Sequence, residues 1–112
     1  MQGTGVELTE PMKVYIEEKI STVEKYFDHI THIDVDVGRR SGHHHKGDVF
    51  YAEVNMQIPH HDLIRVEKDA GDVYSAIDMV RDQLKVELEK IKEKMRAKDK
   101  EEIRSTKEYQ PE

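Results

Sequence analysis

The chain has 112 residues, of which 36% are hydrophobic and 38% charged, with a net charge of −6 and no cysteine. That length suits one domain with one core. The missing cysteines exclude disulfides and thiolate metal sites, and the acidic total excludes a simple polycationic sponge for nucleic acid.

Residues 4–8 (Thr4, Gly5, Val6, Glu7, Leu8) alternate weakly and predict a short first strand. Thr9 follows as a helix N-cap, with Glu10 and Pro11 in the first turn, where a carboxylate suits the dipole and proline loses no hydrogen bond. Met12, Ile16, Ile20, Val23 and Phe27 then recur every three or four residues, which puts them on one face of a helix over residues 10–27. Ile33, Val35 and Val37 alternate with Asp34 and Asp36 as a half-buried strand. Residues 38–47 are polar and hold three consecutive histidines, so they predict a loop. Phe50, Ala52, Val54, Met56 and Ile58 alternate with polar partners in the clearest strand of the chain. A turn over residues 59–62 leads to a last strand carrying Ile64 and Val66.

Asp72 is the expected N-cap of a second, long helix. Its apolar stripe is Ile77, Val80, Leu84, Leu88, Ile91 and Met95. From Ala97 the sequence is almost wholly polar, and residues 97–112 are expected to be a fraying helix end and then a disordered, charged tail behind a domain of residues 1–96. Helices with one apolar stripe and strands with one apolar face need each other. The expected fold is therefore α+β, in the order β-α-β-β-β-α, with both helices on one face of an antiparallel sheet.

Function must then lie beside the stripe. At 100° per residue, Arg81, Lys85, Lys92 and Arg96 fall within about 60° of one another along one edge of it. Asp78, Asp82, Glu89 and Glu93 lie just beyond, at spacings that suit ion pairs within the helix. Two readings are open: a solvated face laced with ion pairs, or a basic ridge that follows RNA phosphates. Lys90 and Lys94 form a second basic row on the other side. The most basic short stretch is the loop containing Arg39, Arg40 and Lys46 around His43, His44 and His45. No paired histidine spacing on a helix supports a metal site, and none is expected. No phosphate-binding glycine loop and no nucleophile elbow occurs. No catalytic residue, cofactor or small-molecule substrate is therefore expected. No apolar run approaches the roughly 18 residues of a membrane-spanning helix, so a cytoplasmic location without a membrane partner is expected.

Four segments carry a family resemblance: residues 5–10 (GVELTE), 23–27 (VEKYF), 45–54 (HKGDVFYAEV) and 72–78 (DVYSAID). In this order and spacing they resemble the ribosome hibernation promoting factor family, which includes the ribosome-associated inhibitor A proteins. The resemblance spans about residues 3–96. It implies a fold similar to a double-stranded RNA-binding domain. It also implies binding to 16S rRNA of the small ribosomal subunit and the 70S ribosome, in the channel for mRNA and tRNA. Translation is then inhibited by occupancy during stress or stationary phase. On positions matching the family, the RNA-binding candidates are Lys19 and Lys25 in the first helix and Lys85, Lys90, Lys92 and Lys94 in the second. Arg81 and Arg96 come from the helical-face argument alone. Family members often carry a basic residue where Thr22, Gln83, Val86 and Glu89 stand here, so fewer phosphate contacts are expected. Long members have a further domain that pairs ribosomes. The tail after residue 96 is too short for it, so a short form is expected, and pairing would need another factor.

Two other classes remain open. A short first strand could leave a sheet edge for pairing with another chain, as in an oligomerisation module that does not bind ribosomes. A general binder of structured RNA is the third reading.

Overall fold

The computed structural model describes residues 1–40 and 49–108, with the side chains of the last helix described as far as Ala97. Six elements follow one another: β1 (Gln2–Thr4), α1 (Glu10–Tyr26), β2 (His32–Arg40), β3 (Val49–Gln57), β4 (Ile64–Ala70) and α2 (Val73–Glu108). The sheet order is β1-β2-β3-β4.

The sheet departs from the expected antiparallel one at its first strand. β1 pairs with β2 in parallel, Gln2 beside Asp36 and Thr4 beside Gly38, whereas the β2–β3 and β3–β4 pairs are antiparallel. The reason is the connection. A helix of 17 residues separates β1 from β2, and such a crossover returns the chain in the direction it started, where a tight hairpin would reverse it. The first strand also falls earlier than residues 4–8. Gly5 has φ 70°, which ends the extended backbone there, a conformation that suits a residue without Cβ. Val6 and Leu8 instead pack from the following turn against the core. At the other side of this pairing, a Cβ on Gly38 would come within 2.5 Å of the Thr4 carbonyl oxygen and of the Tyr51 ring. Only glycine lets β1 lie this close to β2.

One face of the sheet carries the core. Val35, Val54 and Val66 are aligned across three strands. With Val37, Ala52, Met56 and Ile58 they are buried against Ile16, Ile20, Val23 and Phe27 of α1 and Ile77, Val80, Leu84, Leu88 and Ile91 of α2. Both apolar stripes are thus used as their spacing predicts. Met95 is the exception, being 39% exposed. It sits one turn past Ile91, the last buried residue of the stripe. The backbone of α2 continues past Ala97 to Glu108, so it crosses the expected boundary at residues 96 and 97 without a break. β2 likewise runs on to Arg40, so Arg39 and Arg40 stand on a strand and not in the loop where the polar sequence put them.

Both helix starts are capped as expected. The Thr9 hydroxyl accepts from the Met12 amide at 3.3 Å. Asp72 accepts from the Ser75 amide and from the Ser75 hydroxyl, each at 2.8 Å. Those donated bonds hold the Asp72 carboxyl below its ordinary pKa, the Ser75 amide contributing most. A carboxyl whose pKa is lower in the folded chain stabilises the fold above its unfolded value and loses that contribution as pH falls through the folded value. Asp72→Ala should therefore lower the melting temperature at neutral pH, and Asp72→Asn, whose amide oxygen still caps, should lower it less. The gap between wild type and Asp72→Ala should close in thermal melts taken at pH values below the usual carboxylate range of about 3.9.

Candidate nucleic-acid interface

α1 and α2 lie side by side on the sheet, and two tyrosines of α1 bridge the seam. Tyr15 donates its hydroxyl to Asp78 Oδ1 at 2.6 Å. Tyr26 donates to Glu89 Oε2. Both bridges join residues 63 apart in sequence, so the helices run in the same direction. Tyr26 follows Tyr15 by 11 residues and Glu89 follows Asp78 by 11. Eleven residues return a helix to nearly the same face after three turns, about 16 Å along its axis. The seam therefore repeats one unit, a tyrosine on α1 against a carboxylate on α2.

Each unit holds cations. Lys19 Nζ lies 5.1 Å from the centre of the Tyr15 ring and 3.7 Å from Asp78 Oδ1. Lys92 Nζ sits 3.7 Å above the Tyr26 ring, and Arg96 Nη1 is 3.7 Å from Glu89 Oε1. Cation–π contact fixes the lysine heads near the rings without consuming their hydrogen-bond donors. Arg81 is held beside Asp82, its Nη2 at 2.9 Å, and Lys85 follows one turn later on the same side of α2. At the end of α1, Lys25, Tyr26, His29, Lys92, Met95 and Arg96 line an open depression of about 400 Å³. Tyr74 closes the opposite end, its ring edge-on to Tyr15 at 5.0 Å.

The tyrosines stay protonated donors. Hydrogen bonding to Asp78 raises the Tyr15 pKa, with burial adding to it, and Glu89 does the same to Tyr26. The expectation that Asp78, Asp82, Glu89 and Glu93 pair within their own helix holds for Asp82, which takes the adjacent Arg81. It does not hold for Asp78, which is matched across the seam to α1. Glu89 combines both, taking Tyr26 from α1 and Arg96 from two turns along α2.

Lys19, Lys25, Arg81, Lys85, Lys92 and Arg96 are thus gathered along the seam or at its end. Lys90 and Lys94 lie on the opposite flank of α2, roughly half a turn from Lys92, and both are exposed. Arg40 belongs to the helix-free face of the sheet. It stacks on Tyr51, with its Cζ 4.6 Å from the ring centre, and pairs with Glu67 and Asp69. Those two carboxylates raise its pKa further, Glu67 most. Arg39 is exposed beside it, on the alternate face of the strand. Lys46 and the three histidines before it lie outside the described residues. Among the described residues no group of three or more His, Asp or Glu could hold a metal ion, and no helix is long and apolar enough to cross a membrane. The tyrosine bridges were not foreseen. Their signal was present in the shared 11-residue spacing of Tyr15 with Tyr26 and of Asp78 with Glu89.

Residues 1–96 match the family described as sigma 54 modulation protein / S30EA ribosomal protein. The chain is 37% identical over 92 residues to a ribosome hibernation promotion factor of Deinococcus radiodurans, covering 82% of this chain and 47% of that one. It is 33% identical over 103 residues to the factor of that name from Bacillus subtilis, covering 88% and 50%. The ribosome hibernation promoting factor of Pseudomonas putida is 33% identical over 97 residues, covering 87% and 88%. The chain thus spans about half the length of the first two and most of the third. Among solved structures, the N-terminal domain of Thermus thermophilus Protein Y superposes with a TM-score of 0.58 at 26% identity, covering 80% of this chain and 92% of that one. A ribosomal subunit interface protein from Coxiella burnetii, at 21% identity and a TM-score of 0.66 over 82% of this chain and 93% of that one, shares the fold.

Proposed function

The chain belongs to the sigma 54 modulation protein / S30EA ribosomal protein family, and from that premise we propose that it is a ribosome hibernation factor. It binds the small ribosomal subunit in the channel that mRNA and tRNA use and inhibits translation by occupying it. The 70S ribosome is held idle under stress or in stationary phase, in the cytoplasm. No reaction is catalysed. The relatives named for hibernation support this reading.

The observation that carries it is the seam of Lys19, Arg81, Lys85, Lys92 and Arg96 between two parallel helices. A row of cations on a rigid scaffold suits the phosphates of folded 16S rRNA, which proteins contact chiefly by charge and shape. A chain of net charge −6 can still present such a row, because a local field depends on how charges sort onto faces and not on their total. Lys25, Arg39, Arg40, Lys46 and the exposed Lys90 and Lys94 are further candidates for contacts to the wider rRNA surface.

Binding by charge is weakened by salt through counterion release. In sucrose-gradient sedimentation with purified ribosomes, the protein should travel with the small subunit and the 70S particle at low salt and be released at high salt. A stable homodimer that never enters the ribosomal fractions would indicate an oligomerisation module. Equal affinity for arbitrary duplex RNA would indicate a general RNA binder.

A further inference from the structure

Two carboxylates of the cationic seam are held by tyrosines across it, while a third, Asp82, pairs with its neighbour Arg81. Asp78 and Glu89 each lie 3.7 Å from a cation, Lys19 and Arg96 respectively. Their side chains are 43% and 42% exposed, so these ion pairs contribute little to stability. An exposed carboxylate on a helix is ordinarily free to rotate toward water. Here Tyr15 and Tyr26 pin both through donated hydroxyls, which keeps the negative charge directed at the cations. The two charges sit three helical turns apart, about 16 Å. Any polyanion that follows the seam meets both.

We propose that Asp78 and Glu89 are built-in counter-ions that occupy the cationic seam in place of phosphates and thereby set how tightly, and with what salt dependence, the chain binds RNA. The proposal rests on the reading of this seam as a phosphate path. Lys19 and Arg96 are then partly neutralised before RNA arrives. Binding releases fewer small ions than the number of lysines and arginines suggests, and the salt dependence is correspondingly shallow. Lys92, held over an aromatic face and not by a carboxylate, keeps its full charge for the ligand. Lys19, Arg81 and Arg96 thus carry carboxylate partners, whereas Lys92 rests on a ring.

The test is the double variant Asp78→Asn/Glu89→Gln, whose amide oxygens still accept from the tyrosines, so that the seam stays closed while the charge is removed. A second variant, Glu17→Gln/Glu24→Gln, removes the same charge from the flank of α1 beside Ile33 and Val35 of β2. Equilibrium binding is measured across a salt series to a duplex RNA and, separately, to purified 70S ribosomes. The seam variant should bind about tenfold more tightly near physiological salt, with a slope of log K against log salt steeper by about one to two. The flank variant should stay within about twofold of wild type. A seam variant no tighter than wild type, or a flank variant with the same gain, overturns the proposal. A gain on duplex RNA without ribosome binding by either protein sustains the counter-ions and removes the ribosomal reading. Ribosome binding by wild type with no gain on either RNA does the reverse.

Discussion

Replacing Lys85 and Lys92 together by glutamate should abolish co-sedimentation with ribosomes while leaving the fold in place. The two residues lie on the seam side of α2, between the Asp78 and Glu89 bridges and just beyond them. Reversal removes two phosphate contacts and adds two repulsions on a path that already carries two carboxylates. Like charges set against each other across an interface cost several kcal/mol, and about 1.4 kcal/mol is tenfold in affinity. The apparent affinity should therefore fall by about a hundredfold or more. The fold loses only the contact of Lys92 with the Tyr26 ring, of the order of 0.5–1 kcal/mol at an exposed site. Melting temperature should move by a few degrees at most. Lys90→Glu/Lys94→Glu, on the other flank of the same helix, changes the charge equally and should weaken binding far less. If both double variants weaken binding alike, the seam is not the phosphate path and only overall charge matters.

Leu84→Ala should be the most damaging single truncation. Leu84 is fully buried in the middle of the α2 stripe, among Val80, Leu88 and the sheet valines. Removing its branched end loses the transfer energy of those atoms and leaves a cavity that α2, anchored by the tyrosine bridges, cannot collapse. Such truncations cost about 2–5 kcal/mol, a large share of the roughly 5–15 kcal/mol that holds a domain of this size together. Urea denaturation should show the midpoint falling with little change in slope. Met95→Ala, on the same stripe but 39% exposed, should be nearly silent. Equal losses at the two positions would mean that the core extends beyond the sheet along α2.

Much of this architecture was readable from residue spacing because one apolar face per element leaves few ways to pack. The stripes of α1 and α2, the alternation of β2 and β3, and the caps at Thr9 and Asp72 all appear where local pattern places them. The errors fall where a distant segment overrides local pattern. Arg39 and Arg40 look like loop residues, yet ladder pairing with Phe50 and Val49 draws them into β2. Residues 6–8 alternate like a strand, yet the positive φ of Gly5 turns the chain first.

The cations show the same division. Helical periodicity sorted Arg81, Lys85, Lys92 and Arg96 onto one edge of α2, and this required nothing but a rise and a turn per residue. The absence of cysteine and of any nucleotide loop is likewise complete in the sequence. Periodicity could not say what faces that edge. Tyr15 and Tyr26 lie 63 residues away from their carboxylates, and no local rule relates positions so far apart. The crossover that makes β1 parallel to β2, and the sheet that aligns α1 with α2, bring them together. Composition and spacing define which residues could carry charge to a ligand. The packing of two parallel helices on one sheet selects which of those charges are already answered from within, because the sign of a neighbour depends on distance in space and not along the chain.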